Sequence, residues 1–95
     1  MPSPVITLRV EILGRVQGVG YRYWTVEEAK KRQVSGWVRN RKEGYVEAIF
    51  QGEKVNVDDL LMACYKGPAF ANVQDIKTGS GEYDGPNEFS WQETV

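Results

Sequence analysis

Three glycines fall within seven residues of Gly14-Arg15-Val16-Gln17-Gly18-Val19-Gly20, and Tyr21-Arg22 follow. The string contains two arginines and no acid. It interrupts two regular patterns. Before it, Val5 to Leu13 alternates, with Ile6, Leu8, Val10 and Ile12 on one face and Thr7, Arg9 and Glu11 on the other, which predicts a half-buried strand. After it, Tyr21 or Arg22 to about Gln33 reads as a helix, acidic early at Glu27 and Glu28 and basic late at Lys30, Lys31 and Arg32, as the helix dipole favours. A strand must therefore turn into a helix through residues that tolerate positive φ. Successive free N–H groups in such a turn form a concave anion nest. The helix start adds unpaired amides and its positive dipole end. Arg22 supplies a planar fork of donors suited to phosphate or carboxylate.

The string fits neither common phosphate loop. No Lys-Ser/Thr follows Gly20, so the P-loop pattern fails. Tyr23 stands where the dinucleotide pattern requires its third glycine. The plain alternative is a strand-to-helix connection with no ligand. On the helix, Arg22, Val26, Ala29 and Gln33 share one face. If Val26 and Ala29 pack on a sheet, Arg22 projects beside the glycine loop; the alternative is an ordinary solvated arginine.

The chain then continues as a hairpin. Val34 to Arg41 reads as a strand, Arg41-Lys42-Glu43-Gly44 as a four-residue loop, and Tyr45 to Gln51 as the returning strand. Asn56 is the expected cap of a second helix, whose Val57, Leu60, Leu61 and Cys64 follow the helical period until Gly67-Pro68 stops it. Ala71 to Thr78 is a weaker strand in which Val73 and Ile76 break alternation, as a bulge would require. Gly79 to Asn87 reads as a loop, and Phe89 and Trp91 alternate in a short last strand. The pattern predicts an α+β, ferredoxin-like split β-α-β sandwich: βαββαβ plus a short C-terminal strand, an antiparallel sheet with two helices on one face. Residues 1–95 are expected to form a single domain, with 1–4 a loose lead.

Bulk properties narrow the chemistry. The net charge of −1 gives no global basic field for nucleic acid. No apolar run reaches transmembrane length, so no membrane span is expected and the cytoplasm is the default. The single Cys64 excludes an internal disulfide and a cysteine metal cage, and reads as an inert buried thiol. With no histidine, imidazole-dependent nucleophile systems and a phospho-histidine intermediate are impossible. Catalysis at neutral pH would rest on positioning and electrostatics, or on a base from a carboxylate or the substrate.

The end of the second strand lies near the loop if that strand pairs near the first. Asn40 sits at that end. Its amide can hold a water in line with a phosphorus atom, or can simply be the asparagine that hairpins favour before a turn. The residues alone leave both readings open.

The glycine string, joined to Gly36-Trp37-Val38-Arg39-Asn40, resembles the acylphosphatase family, and the resemblance runs from about Leu8 to Trp91. It implies a ferredoxin-like fold and hydrolysis of carboxylic–phosphoric mixed anhydrides without metal, cofactor or covalent phospho-enzyme. It also implies that Arg22 binds the phosphate and Asn40 orients the hydrolytic water. Amides of Val16, Gln17, Gly18, Val19, Gly20 and Tyr21 would complete the phosphate loop. Tyr21 stands where phenylalanine is frequent in the family, and Tyr23 and Trp24 are candidates for the rim. Arg15, Arg39, Arg41 and Lys42 would each raise the potential around the site or be plain surface charges. The expected partner is a small acyl phosphate, with no nucleic acid, no membrane and a monomeric chain. The rivals are a non-catalytic anion-binding regulatory module and an RNA-recognition module of the same architecture. The latter is disfavoured because Tyr45 to Gln51 carries no aromatic-rich RNA-binding string.

Overall fold

The computed structural model describes residues 3–95. Seven elements follow in chain order: β1 (Val5–Arg15), α1 (Tyr21–Lys31), β2 (Ser35–Asn40), β3 (Val46–Glu53), α2 (Lys54–Lys66), β4 (Asn72–Ser80) and β5 (Phe89–Gln92). They form one sheet of order β4-β1-β3-β2-β5. β1 pairs antiparallel with β3 and β4, and β2 antiparallel with β3. The split β-α-β sandwich expected from the sequence is present.

β3 lies between β1 and β2, as the split β-α-β arrangement has it. The sheet departs from the expected antiparallel pairing at one place. β5 runs parallel to β2, so the five-stranded sheet is mixed. After β4, Gly81 donates to the Thr7 carbonyl at 3.2 Å. The chain then enters the far edge alongside the start of β2, where Gly36 N–H donates to the Glu88 carbonyl at 3.0 Å and Ser35 Oγ bonds Asn87 Oδ1 at 2.6 Å. Entry at the start of β2 dictates the parallel direction.

The even-numbered residues of β1 and β3 face the helices. Val10, Ile12, Val46, Ala48 and Phe50 pack with Val26 and Ala29 of α1, Val57, Leu60 and Cys64 of α2, and Phe89 of β5. Burial of this apolar set is the main term holding the layers together. The other face carries charge. Buried Glu47 accepts from Arg9 at 2.6 Å and from Arg41 at 3.2 Å.

β1 extends past Leu13 because β4 bulges to meet it. Leu13 lies opposite Asp75 and Gly14 opposite Val73, which leaves Gln74 as the extra residue where alternation failed in the sequence. A Cβ on Gly14, at φ 123°, would stand 2.3 Å from the Asn72 carbonyl oxygen, so the bulge requires glycine there.

Asn56 does not cap α2. The helix begins two residues earlier, and its first amides are met from the start of the chain: Lys54 N–H donates to the Pro4 carbonyl at 2.8 Å and Val55 N–H to Ser3 Oγ at 3.4 Å. Two residues of the expected lead thus do the capping, while Met1 and Pro2 lie outside the described residues. α1 ends at Lys31, short of Gln33. Gln33 is left-handed at φ 57°, and Val34 N–H reaches back to the Ala29 carbonyl, a Schellman closure.

Tyr21 joins the two helices. Its ring is 2% exposed and its hydroxyl donates to the Cys64 carbonyl at 2.5 Å. In an unbroken helix that carbonyl would accept the N–H of residue 68, but residue 68 is Pro68, which has none. Burial raises the Tyr21 phenol above its ordinary value of 10.0, and burial likewise pushes the Cys64 thiol up to about 12.

Tyr21→Phe would strand the Cys64 carbonyl and is expected to lower stability by about 1 kcal/mol at pH 7. Because the folded pKa is raised, the wild-type phenol favours folding below pH 10.0 and loses that advantage as the unfolded chain ionises above it. Denaturant melts at pH 7 and pH 11 should therefore show the gap between the two proteins narrowing at the higher pH.

Candidate active site

The turn between β1 and α1 is held open by two left-handed glycines, Gly18 at φ 74° and Gly20 at φ 77°. Gly20 is the residue preceding α1, and no side chain caps the helix. Among the described residues, no amide from Gln17 to Tyr23 donates to a carbonyl outside the helix; the first to do so is Trp24, to Gly20 at 3.0 Å. A run of free donors thus lies at the positive end of a helix dipole.

These donors border a cavity of about 280 Å³. Val16, Gly18, Gly20 and Tyr21 supply one wall, Arg22 and Tyr23 come from the first turn of α1, Asn40 from the end of β2, and Trp91 from β5. The crossing of α1 over β2 brings Arg22 and Asn40 together although β3 separates β1 from β2. Arg22 is pre-set: Nη1 donates to the Gln92 carbonyl at 3.1 Å, and its guanidinium carbon stands 4.8 Å from the Trp91 ring centroid. Its remaining N–H groups are available to an anion. Among the described residues, it has no carboxylate partner, whereas Arg9, Arg32 and Arg41 each have one or more. The Asn40 side chain has no hydrogen-bond partner among the described residues. Its backbone carbonyl accepts from Val95 N–H at 3.3 Å, which pins the strand end.

Two loop residues do not line the cavity with their side chains. Val19 packs against the core. Gln17 turns away and its Nε2 bridges the mouth of the β2–β3 hairpin, donating to the Arg41 carbonyl at 2.8 Å and the Tyr45 carbonyl at 3.0 Å. Gln17 therefore ties the glycine loop to the hairpin that carries Asn40. Of the two rim candidates only Tyr23 borders the cavity; Trp24 leans on the Tyr21 ring, 5.4 Å between centroids. Arg39 and Arg41 are engaged elsewhere, Arg39 over the Trp37 ring and with Gln92 Oε1, Arg41 with Glu43 and Glu47. Trp91 was not read as a site residue from sequence. Its alternation with Phe89 gave it a place in the last strand, and the parallel pairing of β5 with β2 brings it beside Arg22. Among the described residues, no group of acidic or cysteine side chains is arranged to hold a metal ion.

Free loop amides, a helix start and an arginine thus border one cavity on a split β-α-β sandwich. The sequence model of the acylphosphatase family matches residues 8–91, and the chain belongs to that family. It is 46% identical to an acylphosphatase of Alcanivorax borkumensis over 90 residues, 93% of this chain and 98% of that one. It is 51% identical to one from Nitrobacter winogradskyi over 72 residues, 76% and 73% of the two chains. The crystal structure of acylphosphatase from Bacillus subtilis superposes with a TM-score of 0.86 at 37% identity, covering 94% of this chain and 99% of that one.

Gln17→Ala removes the strut while leaving every cavity-lining side chain in place. The loop amides should lose their fixed spacing, and inhibition by inorganic phosphate should weaken by about tenfold, the worth of one or two hydrogen bonds. A phosphate titration on wild type and variant, with matched melting curves, checks this.

Proposed function

We propose that this chain is an acylphosphatase in which the cavity at the start of α1 holds the phosphoryl group of an acyl phosphate. The observation that carries the reading is the convergence of unpaired loop amides, Arg22 and the Asn40 amide on one cavity. The loop amides from Val16 to Tyr21 and the Arg22 guanidinium take the phosphoryl oxygens and stabilise the charge that spreads over them during transfer. The Asn40 side chain orients a water opposite the acyl oxygen. Water attacks phosphorus, and the bond from phosphorus to the acyl oxygen breaks. The carboxylate leaves with the bonding electrons, and the proton lost by the water ends on a phosphate oxygen. The products are a carboxylate and inorganic phosphate. A carboxylate is a stable leaving anion, so the step needs no general acid. This suits a chain without histidine.

The same reading makes the protein a cytoplasmic monomer acting on a small molecule rather than on nucleic acid. No helix among the described residues is long and apolar enough to cross a membrane. Size-exclusion chromatography tests the monomer.

The decisive experiment is continuous hydrolysis of a synthetic acyl phosphate with EDTA present. Wild type should turn over. Arg22→Ala should lose both binding and turnover, and Asn40→Ala should lose about 10²–10³ in kcat with little change in KM. A folded wild type that binds phosphate but releases no carboxylate would be an anion-binding module instead. Full kcat in folded Asn40→Ala would remove Asn40 from the water-positioning role.

A further inference from the structure

Two large aromatic rings stand open to solvent at the cavity, Tyr23 at 70% exposure and Trp91 at 55%. Tyr21, two residues from Tyr23, is 2% exposed, so the first turn of α1 buries one aromatic ring and displays another. Single exposed aromatics are common on protein surfaces. Here the two flank Arg22, one from its own helix turn and one from β5, and both line the space into which the free loop amides open. The Trp91 ring already stacks on the Arg22 guanidinium. Among the described residues, the Tyr23 hydroxyl makes no hydrogen bond. The cavity therefore has a donor-rich end and an aromatic end, which matches a ligand with an anionic head and a flat apolar tail.

We infer that Tyr23 and Trp91 form the acyl-group subsite, and that the protein favours acyl phosphates with an aromatic or bulky apolar acyl group over small ones such as acetyl phosphate. This rests on the hydrolytic reading above. With phosphorus held by Arg22 and the loop, the acyl oxygen points away from the amides and the acyl carbons extend toward the two rings. Contact there removes apolar surface of both ring and substrate from water. Acetyl phosphate is too short to use it. Arg22 gains as well, since an acyl group over Trp91 shields its charge from solvent and strengthens its hold on the phosphate. Trp91 thus acts twice, as a support for Arg22 and as a wall for the substrate. Tyr23 acts only as a wall.

The test compares kcat/KM for benzoyl phosphate and acetyl phosphate in wild type, Tyr23→Ala, Trp91→Ala and Trp91→Phe, with folding verified by circular dichroism. Taking each variant's ratio against wild type cancels the different intrinsic reactivity of the two anhydrides. The benzoyl-to-acetyl ratio should fall about fivefold in Tyr23→Ala and in Trp91→Ala, the worth of burying part of a phenyl ring, while Trp91→Phe keeps most of it. A parallel arm measures binding alone, by calorimetry with phenylphosphonate and methylphosphonate. Phenylphosphonate should bind more tightly to wild type, and the preference should shrink in the two alanine variants. Turnover of neither anhydride, with the phosphonate preference intact, would sink the hydrolytic reading and leave the aromatic subsite standing. Turnover of both with one unchanged ratio in every variant would overturn the subsite and leave the hydrolysis standing.

Discussion

A folded chain rarely leaves a run of backbone amides without acceptors, yet the segment from Gln17 to Tyr23 does so, and much of the molecule is arranged to keep it that way. Gly18 and Gly20 hold the left-handed turns that aim the amides outward. Gln17 anchors the loop to the hairpin, and Tyr21 anchors the start of the helix to the end of α2. Each anchor attaches a side chain, so the amides stay free. The loop is rigid at its edges and chemically unsatisfied at its centre. The donors are already in position, so an anion bound there would carry little ordering cost.

Charge is partitioned in the same spirit. The chain carries a net charge of −1, and several arginines are neutralised locally: Arg9 and Arg41 by buried Glu47 on the helix-free face, Arg32 by Glu28 and Asp59. Arg22 is instead supported by neutral groups, a carbonyl and an indole ring, which fix its position without cancelling its charge. The dipole of α1 adds to this uncancelled charge at the start of the helix.

Much of this was legible in the sequence. The alternation of β1, the failed alternation that became the β4 bulge, and the placement of Arg22 on the sheet-facing side of α1 all come from local patterns, and local patterns fix local geometry. Two kinds of feature escaped. Asn56 looked like the cap of α2 because it precedes the apolar stripe, but the helix starts at Lys54, and its first donors are satisfied by Ser3 and Pro4, more than 45 residues away in the chain. Trp91 alternates with Phe89 in a short last strand, and nothing in so short a strand declares its direction or neighbour. Both depend on which distant segments meet, which hydrophobic period does not encode. The inward choice for Asn40 had the same origin: its type and position allowed a turn role or a site role, and only the crossing of α1 over β2 puts it at the cavity.

The contact between Arg22 and Gln92 joins residues 70 apart in sequence. Of the described elements β5 is made last, so during synthesis the arginine is complete and exposed long before its support exists. The core of β1, β3 and the two helices is drawn mainly from earlier segments, and Phe89 of β5 is the last residue to join it. The support of Arg22 is complete only once the four-residue β5 is paired along β2. The hold on Arg22 is thus the last part of the described structure that the chain can supply.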